Sequence, residues 1–195
     1  MSFWCQKKNK MEQRKNSLRL QNYDYSSLGA YFITICIHGR ESIFGRIKNQ
    51  RMYISKSGKI VKNSWLEIPD YNDKIRLDDF IIMPNHIHAI IWLVGAIHES
   101  PKNYLSQNIT LQNKRVIREL PLQNRRNMLI SKVIGKFKMN SAKQINLLRK
   151  TPGHKVWQRG YYDHIIRNQD DLNNTKQYII DNPQSWEKDE NFIEN

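Results

Sequence analysis

Phe80-Ile81-Ile82-Met83-Pro84-Asn85-His86-Ile87-His88-Ala89-Ile90-Ile91-Trp92 is the stretch whose reading decides the fold. Pro84-Asn85 is a turn dipeptide. Apolar, β-branched residues run up to it and away from it, so the stretch reads as two strands joined by a tight turn. On the second strand, His86 and His88 stand at i and i+2 and point to one face. They are about 6.6 Å apart along the strand at a rise of ~3.3 Å per residue, within reach of one divalent ion. A core strand is rigid, which suits a site that must hold geometry. The ordinary alternative is a structural histidine pair, because a metal site needs a third ligand.

Working outward, the strands are Tyr31 to Ile37, Arg76 to Met83, His86 to Val94 and Val156 to Arg167, the last with Gly160 as a bulge or kink. Ile43 to Ile54 suits a hairpin around Lys48-Asn49-Gln50. Ser57-Gly58 opens a helix whose Val61, Trp65 and Ile68 fall at i, i+4 and i+7, and Pro69 ends it. Ile130, Val133, Ile134, Phe137, Ile145 and Leu148 mark a long amphipathic helix that Thr151-Pro152-Gly153 breaks. Asp170 to Asp181 forms a last helix before Asn182-Pro183. The order β, α, β, β, α, β, α is that of an α+β, ferredoxin-like (split βαβ) antiparallel sheet with helices on one face plus a C-terminal helix. Residues 1–22 read as a basic arm, 23–187 as one domain with a polar insertion at about 95–127 and a short helix near Lys114 to Leu120, and 188–195 as a tail.

The 195 residues suit one domain with a real core. Charged residues are 26% and hydrophobic residues 39%, which excludes a disordered chain. The net charge of +14 points to a polyanionic partner. Its spread, from Lys7, Lys8, Lys10, Arg14, Lys15 and Arg19 through the 128–176 region, fits a long polymer such as nucleic acid better than a small anion. The longest apolar stretch contains Pro84, Asn85 and two histidines, so no membrane span is expected. The N-terminus lacks the apolar region of a signal peptide. Cys5 and Cys36 have no CxxC partner and read as reduced thiols of a cytoplasmic protein.

A helical wheel of the last helix puts Leu172 and Ile179 about 20° apart on one face, and Tyr178 and Asn182 about 40° apart on a flank. If that flank faces the His strand, two imidazoles, an amide oxygen and a phenol share one site. Such a set can hold Mg²⁺ or Mn²⁺ with positions open for phosphate oxygens. Imidazole favours manganese, availability favours magnesium. The phenol would then be a nucleophile toward a phosphodiester. Equally, Tyr178 can simply pack its ring, and Asn182 can be a helix-terminal residue before Pro183.

Arg76-Leu-Asp-Asp-Phe-Ile-Ile-Met-Pro-Asn-His-Ile-His-Ala-Ile-Ile-Trp92 resembles the HUH segment of single-tyrosine transposases. Val156-Trp-Gln-Arg-Gly-Tyr-Tyr-Asp-His-Ile-Ile-Arg-Asn168 and Tyr178-Ile-Ile-Asp-Asn-Pro183 resemble the C-terminal signature of one branch, the REP-associated tyrosine transposases. Tyr31 to Cys36 and Ile134 to Lys138 fit the same branch, and the likeness spans most of residues 23–187. It implies a metal-dependent single-stranded DNA endonuclease and strand transferase that cuts near hairpins through a 5′-phosphotyrosine. His86, His88 and Asn182 match the metal ligands and Tyr178 matches the nucleophile. Relatives act as dimers that exchange the tyrosine helix or as monomers.

Tyr161 and Tyr162 compete for the nucleophile's role, but neither has an amide four residues on along a helix; they read as core or DNA-contacting residues. His164 reads as a packing residue or one that supports a ligand. DNA contacts are expected from Lys132, Lys136, Lys138 and Lys143 on the long helix and from Arg159 and Tyr161, with Tyr161 or Trp157 stacking bases. The alternative to an enzyme is a domesticated, non-catalytic binder of single-stranded or hairpin nucleic acid on the same fold. A replication initiator or relaxase would share the chemistry, but the chain is short and lacks a helicase domain.

Overall fold

The computed structural model describes residues 28–94, 129–189 and 191–192. The expected N-terminal arm and the 95–127 insertion with its short helix lie outside the described residues. Along the chain the elements are β1 (Gly29–Cys36), β2 (Gly45–Lys48), β3 (Arg51–Ile54), α1 (Lys56–Leu66), β4 (Ile75–Ile82), β5 (His86–Leu93), α2 (Leu129–Arg149), β6 (Tyr162–Ile166) and α3 (Gln169–Asp181).

Four strands form one antiparallel sheet in the order β4-β5-β1-β6. This is the strand order of the split βαβ fold, with β2 and β3 added as a separate ribbon between β1 and α1. β5 lies between two neighbours and is buried along its whole length, which is why its sequence is so uniformly apolar.

Strand alternation divides the side chains between two cores. Tyr31, Ile33, Ile35, Ile87, Ala89 and Ile91 face α1 and α2, where Trp65 and Phe137 meet edge to face at 5.1 Å. Both aromatics are fully buried, so truncating either to alanine removes about 3–5 kcal/mol. Ala30, Phe32, Ile90, Trp92 and Ile166 form the other face, covered by Leu172 and Ile179 of α3. The C-terminal helix therefore occupies the face opposite α1 and α2, and His86 and His88 alternate onto its side.

Local chemistry sets the boundaries. Ser55 caps α1 by accepting from the Gly58 N–H at 3.1 Å. A Cβ at Gly58 would overlap the Phe44 carbonyl, so only glycine lets α1 approach the root of the ribbon. Asn168 caps α3 through the Asp171 N–H at 2.8 Å, and Asp170 and Asp171 sit favourably in its first turn.

The expected fourth strand is shorter than Val156 to Arg167. Val156 is buried, and Trp157 makes only an isolated bridge to Ile37. Gly160, with φ +84°, breaks the extended run before β6 begins. The half-buried Trp157 ring packs on Phe44 and Phe137 and its N–H donates to Ser141 Oγ at 3.0 Å, which ties this segment to the core.

Candidate metal and tyrosine site

The site begins at Asn85, which is buried before the first residue of β5. Its Nδ2 donates to the carbonyls of Arg40 (3.0 Å) and Asn191 (2.6 Å), which turns Oδ1 toward His86 Nδ1 at 2.8 Å. An amide oxygen can only accept, so His86 carries its proton on Nδ1 and presents a bare Nε2. That Nε2 lies 2.9 Å from His88 Nε2. On the far side, His88 Nδ1 meets Thr34 Oγ1 at 2.8 Å.

Two bare nitrogens at that distance repel, so something positive must lie between them. A proton on His88 Nε2 serves, with Thr34 donating to Nδ1. A metal ion serves equally if that proton moves to Nδ1 and Thr34 becomes the acceptor. The hydroxyl can fill either role. Oriented imidazoles of this kind are what metal sites use.

Asp189 supplies a third ligand atom. Its Oδ2 is 4.0 Å from His88 Nε2, and ligand atoms of His86, His88 and Asp189 all lie within 4.8 Å of one another. Burial pushes the Asp189 carboxyl up. The neighbouring His88 and His86 rings and the Asn191 N–H (2.7 Å) outweigh it and hold the group well below the usual carboxylate range. Asn182 Nδ2 points to Asp189 Oδ2 at 3.5 Å, while its buried Oδ1 has no hydrogen-bond partner among the described residues. Two imidazoles, a carboxylate and a spare amide oxygen suit a divalent ion of the magnesium or manganese kind. The residues present fit such an ion.

The Tyr178 hydroxyl is 3.4 Å from His88 Nε2. Its ring meets those of His88 (5.2 Å) and Phe32 (5.9 Å) edge on, so its direction is set by packing. The flank of α3 that carries Tyr178 and Asn182 lies on the side of the His strand. Tyr178 and Asn182 both come to the cluster, and Leu172 and Ile179 are buried.

Asp189 escaped the sequence reading, which assigned it to a tail. The readable signal was Trp186 in an otherwise polar segment. Trp186 is buried, lies 5.9 Å from the His86 ring and holds Phe192 at 5.5 Å. These aromatics return the chain to the sheet, where Asn191 Oδ1 also meets Cys36 Sγ at 3.5 Å.

The expected DNA contacts do not gather round the histidines. Lys132, Lys136 and Lys143 are exposed on α2, which covers the opposite face of the sheet. The Lys136 ammonium is 3.8 Å from the Tyr71 ring centre. Lys138 donates to the carbonyls of Gln158 (3.0 Å) and Gly160, and burial lowers its pKa to about 8. The Tyr161 hydroxyl lies 3.2 Å from Ser131 Oγ. Lys138 and Tyr161 thus tie the 158–161 segment to α2, and Arg159 between them is exposed. His164 pairs with Asp171 at 3.1 Å, which fastens β6 to the start of α3.

Among solved structures, a REP-associated tyrosine transposase bound to a REP hairpin superposes with a TM-score of 0.53 at 14% identity, over 90% of this chain and 74% of that one. The chain has the fold of that transposase, as the sequence resemblance implied. It belongs to the same family as an uncharacterized protein of Haemophilus influenzae, 36% identical over 180 residues, which are 92% of this chain and 94% of the relative. No family model matches. Among the described residues no helix is long and apolar enough to cross a membrane.

Proposed function

We propose that the chain is a metal-dependent single-stranded DNA endonuclease and strand transferase, acting in the cytoplasm near DNA hairpins through a covalent 5′-phosphotyrosine. The observation that carries this reading is the Tyr178 hydroxyl 3.4 Å from His88 Nε2, beside the His86 imidazole nitrogen and a buried carboxylate. The fold shared with a transposase solved on a REP hairpin supports hairpin DNA as the substrate class.

His86 and His88 would hold Mg²⁺ or Mn²⁺, with Asp189 or the amide oxygen of Asn182 as the third protein ligand. When bound, the ion withdraws charge from the scissile phosphodiester and orients it. The Tyr178 oxygen attacks phosphorus in line. A phosphorus–oxygen bond to tyrosine forms as the bond to the 3′ oxygen of the leaving strand breaks. The phenol gives up a proton and the released sugar oxygen takes one up. Because the ester keeps the energy of the broken bond, a 3′-hydroxyl can reverse the step and rejoin strands. A phenol's pKa near 10 makes it a poor nucleophile alone, so its surroundings must favour the phenolate.

Incubation with a hairpin-flanked single-stranded oligonucleotide and Mg²⁺ or Mn²⁺ should give an adduct that survives denaturing electrophoresis and maps to Tyr178. Tyr178→Phe should bind the oligonucleotide and form no adduct. An adduct on Tyr161 or Tyr162, or normal cleavage by Tyr178→Phe, overturns the assignment.

A further inference from the structure

We propose that the β2–β3 ribbon, with the first turns of α1, is a nucleic-acid-binding arm that grips the backbone of the substrate DNA beside the cutting site. The occupant rests on the function proposed above; the chemistry rests on the ribbon's own surface. From Gly45 to Leu66 the chain carries Arg46, Lys48, Arg51, Lys56, Lys59 and Lys62 and no acidic residue. All six are exposed, and among the described residues none of them makes an ion pair.

The ribbon sorts its side chains by face. Arg46 lies opposite Tyr53 and Lys48 opposite Arg51, and directly opposed residues of antiparallel strands share a face. Burial alternates in step: these four are exposed, while Ile47, Met52 and Ile54 are partly covered. One face therefore presents three cations and a tyrosine that is 51% exposed. Like charges directly opposed cost stability. Lys48 against Arg51 breaks that rule next to the turn at Asn49 and Gln50, with no packing gained, and such local violations concentrate at functional surfaces. A two-stranded ribbon is also a shape that nucleic-acid grooves admit.

Position completes the argument. Phe44, at the ribbon's root, donates its N–H to the Pro84 carbonyl at 2.9 Å and accepts from the Ser55 N–H at 2.8 Å. Pro84 precedes Asn85 and His86, so the ribbon is rooted at the end of the sheet that bears the histidines. A strand leaving that end meets cations for its phosphates and an aromatic face for a base. Tyr53 is the one large apolar side chain on this face, too little for insertion into a membrane, so DNA is the better fit to the charge.

The test uses the full chain and a labelled single-stranded oligonucleotide with a hairpin, with affinity followed across a salt series. Arg46→Ala/Lys48→Ala/Arg51→Ala should lower the slope of log affinity against log salt by about 2, at roughly 0.7 per lost phosphate contact. Tyr53→Ala should weaken binding roughly tenfold with little change of slope, and Tyr53→Phe should restore it. Lys132→Ala/Lys136→Ala/Lys143→Ala removes equal charge from α2 and should change the slope less. An unchanged slope in the ribbon variant, or an equal change in the α2 variant, overturns the arm. So does tighter ribbon-dependent binding to the matching RNA or to anionic phosphatidylserine vesicles. At saturating DNA the ribbon variant should still form the Tyr178 adduct. Ribbon-dependent affinity without any adduct would sink the cutting reading and leave the arm standing, whereas an adduct with ribbon-independent affinity would do the reverse.

Discussion

Thr34 shows how much of the site rests on one hydroxyl. It sits opposite His88 in the β1–β5 register, and its oxygen is the partner of His88 Nδ1. Valine has the same shape and can neither donate nor accept. Thr34→Val is therefore expected to lower metal affinity about tenfold, the low end for loss of a ligand's supporting hydrogen bond, while Thr34→Ser retains most of it. Titration calorimetry with Mn²⁺ on the DNA-free protein reads this directly. The same titration identifies the third ligand. If it is the Asp189 carboxylate, Asp189→Ala lowers affinity far more than Asn182→Ala, since a charged oxygen is lost. Spacing alone made legible that His86 and His88 share a face, as do Tyr178 and Asn182, because periods of 2 and 3.6 fix which side chains stand together; their roles were legible only through the family resemblance. Asp189 was not, because a 3-10 turn and a buried Trp186 bring it in, and no periodicity records that path.

At the scale of elements, α3 is held by a clamp that spacing did not reveal. Leu77 pairs with Ile91 and Phe80 with Ala89, so β4 has one extra residue at Asp78-Asp79. The bulge brings Asp78 to Trp92 Nε1 (2.9 Å) and to Lys176 Nζ (2.5 Å), with Asp79 at 3.4 Å from the same ammonium. Lys176 is two residues from Tyr178, so the clamp sets the helix that bears the hydroxyl. Burial raises the Asp78 carboxyl, but hydrogen bonds from Lys176, Trp92 and the Asp79 backbone outweigh it and hold the group below the usual range. Burial likewise lowers Lys176, and bonds and charge from Asp78 and Asp79 raise it above the usual range. A lowered carboxyl gives stability that is present above its unfolded value near 3.9 and lost as pH falls through the folded one. A raised ammonium gives stability that is present below about 10.4 and lost as pH rises through its folded value. The clamp is thus complete at neutral pH. Asp78→Asn should cost roughly 1–3 kcal/mol in thermal melts at neutral pH, and the gap to the unsubstituted protein should narrow in acid. A constant gap down to low pH would exclude the clamp.

For the whole molecule, the order of elements read from the sequence was enough to give the sheet, because split βαβ topology leaves few ways to arrange four antiparallel strands. The face taken by α3 was harder, since amphipathicity says which side of a helix is buried and not against which layer. The structure puts α3 on the face away from α1 and α2, with Tyr178 against His88 of its own chain. One chain therefore carries every group the proposed reaction needs. Two copies that exchanged α3 would pair the tyrosine of one with the histidines of the other, and a mixture experiment separates the cases. His86→Ala/His88→Ala protein keeps Tyr178, and Tyr178→Phe protein keeps both histidines. Each alone should form no adduct on a hairpin oligonucleotide with Mn²⁺. Mixed in equal amounts, they should remain inactive if α3 works on its own sheet. Exchange of helices would restore about a quarter to a half of activity, because mixed dimers unite intact halves. Adduct formation in the mixture would show that the packing of α3 seen here opens in solution, and that the active species is a dimer.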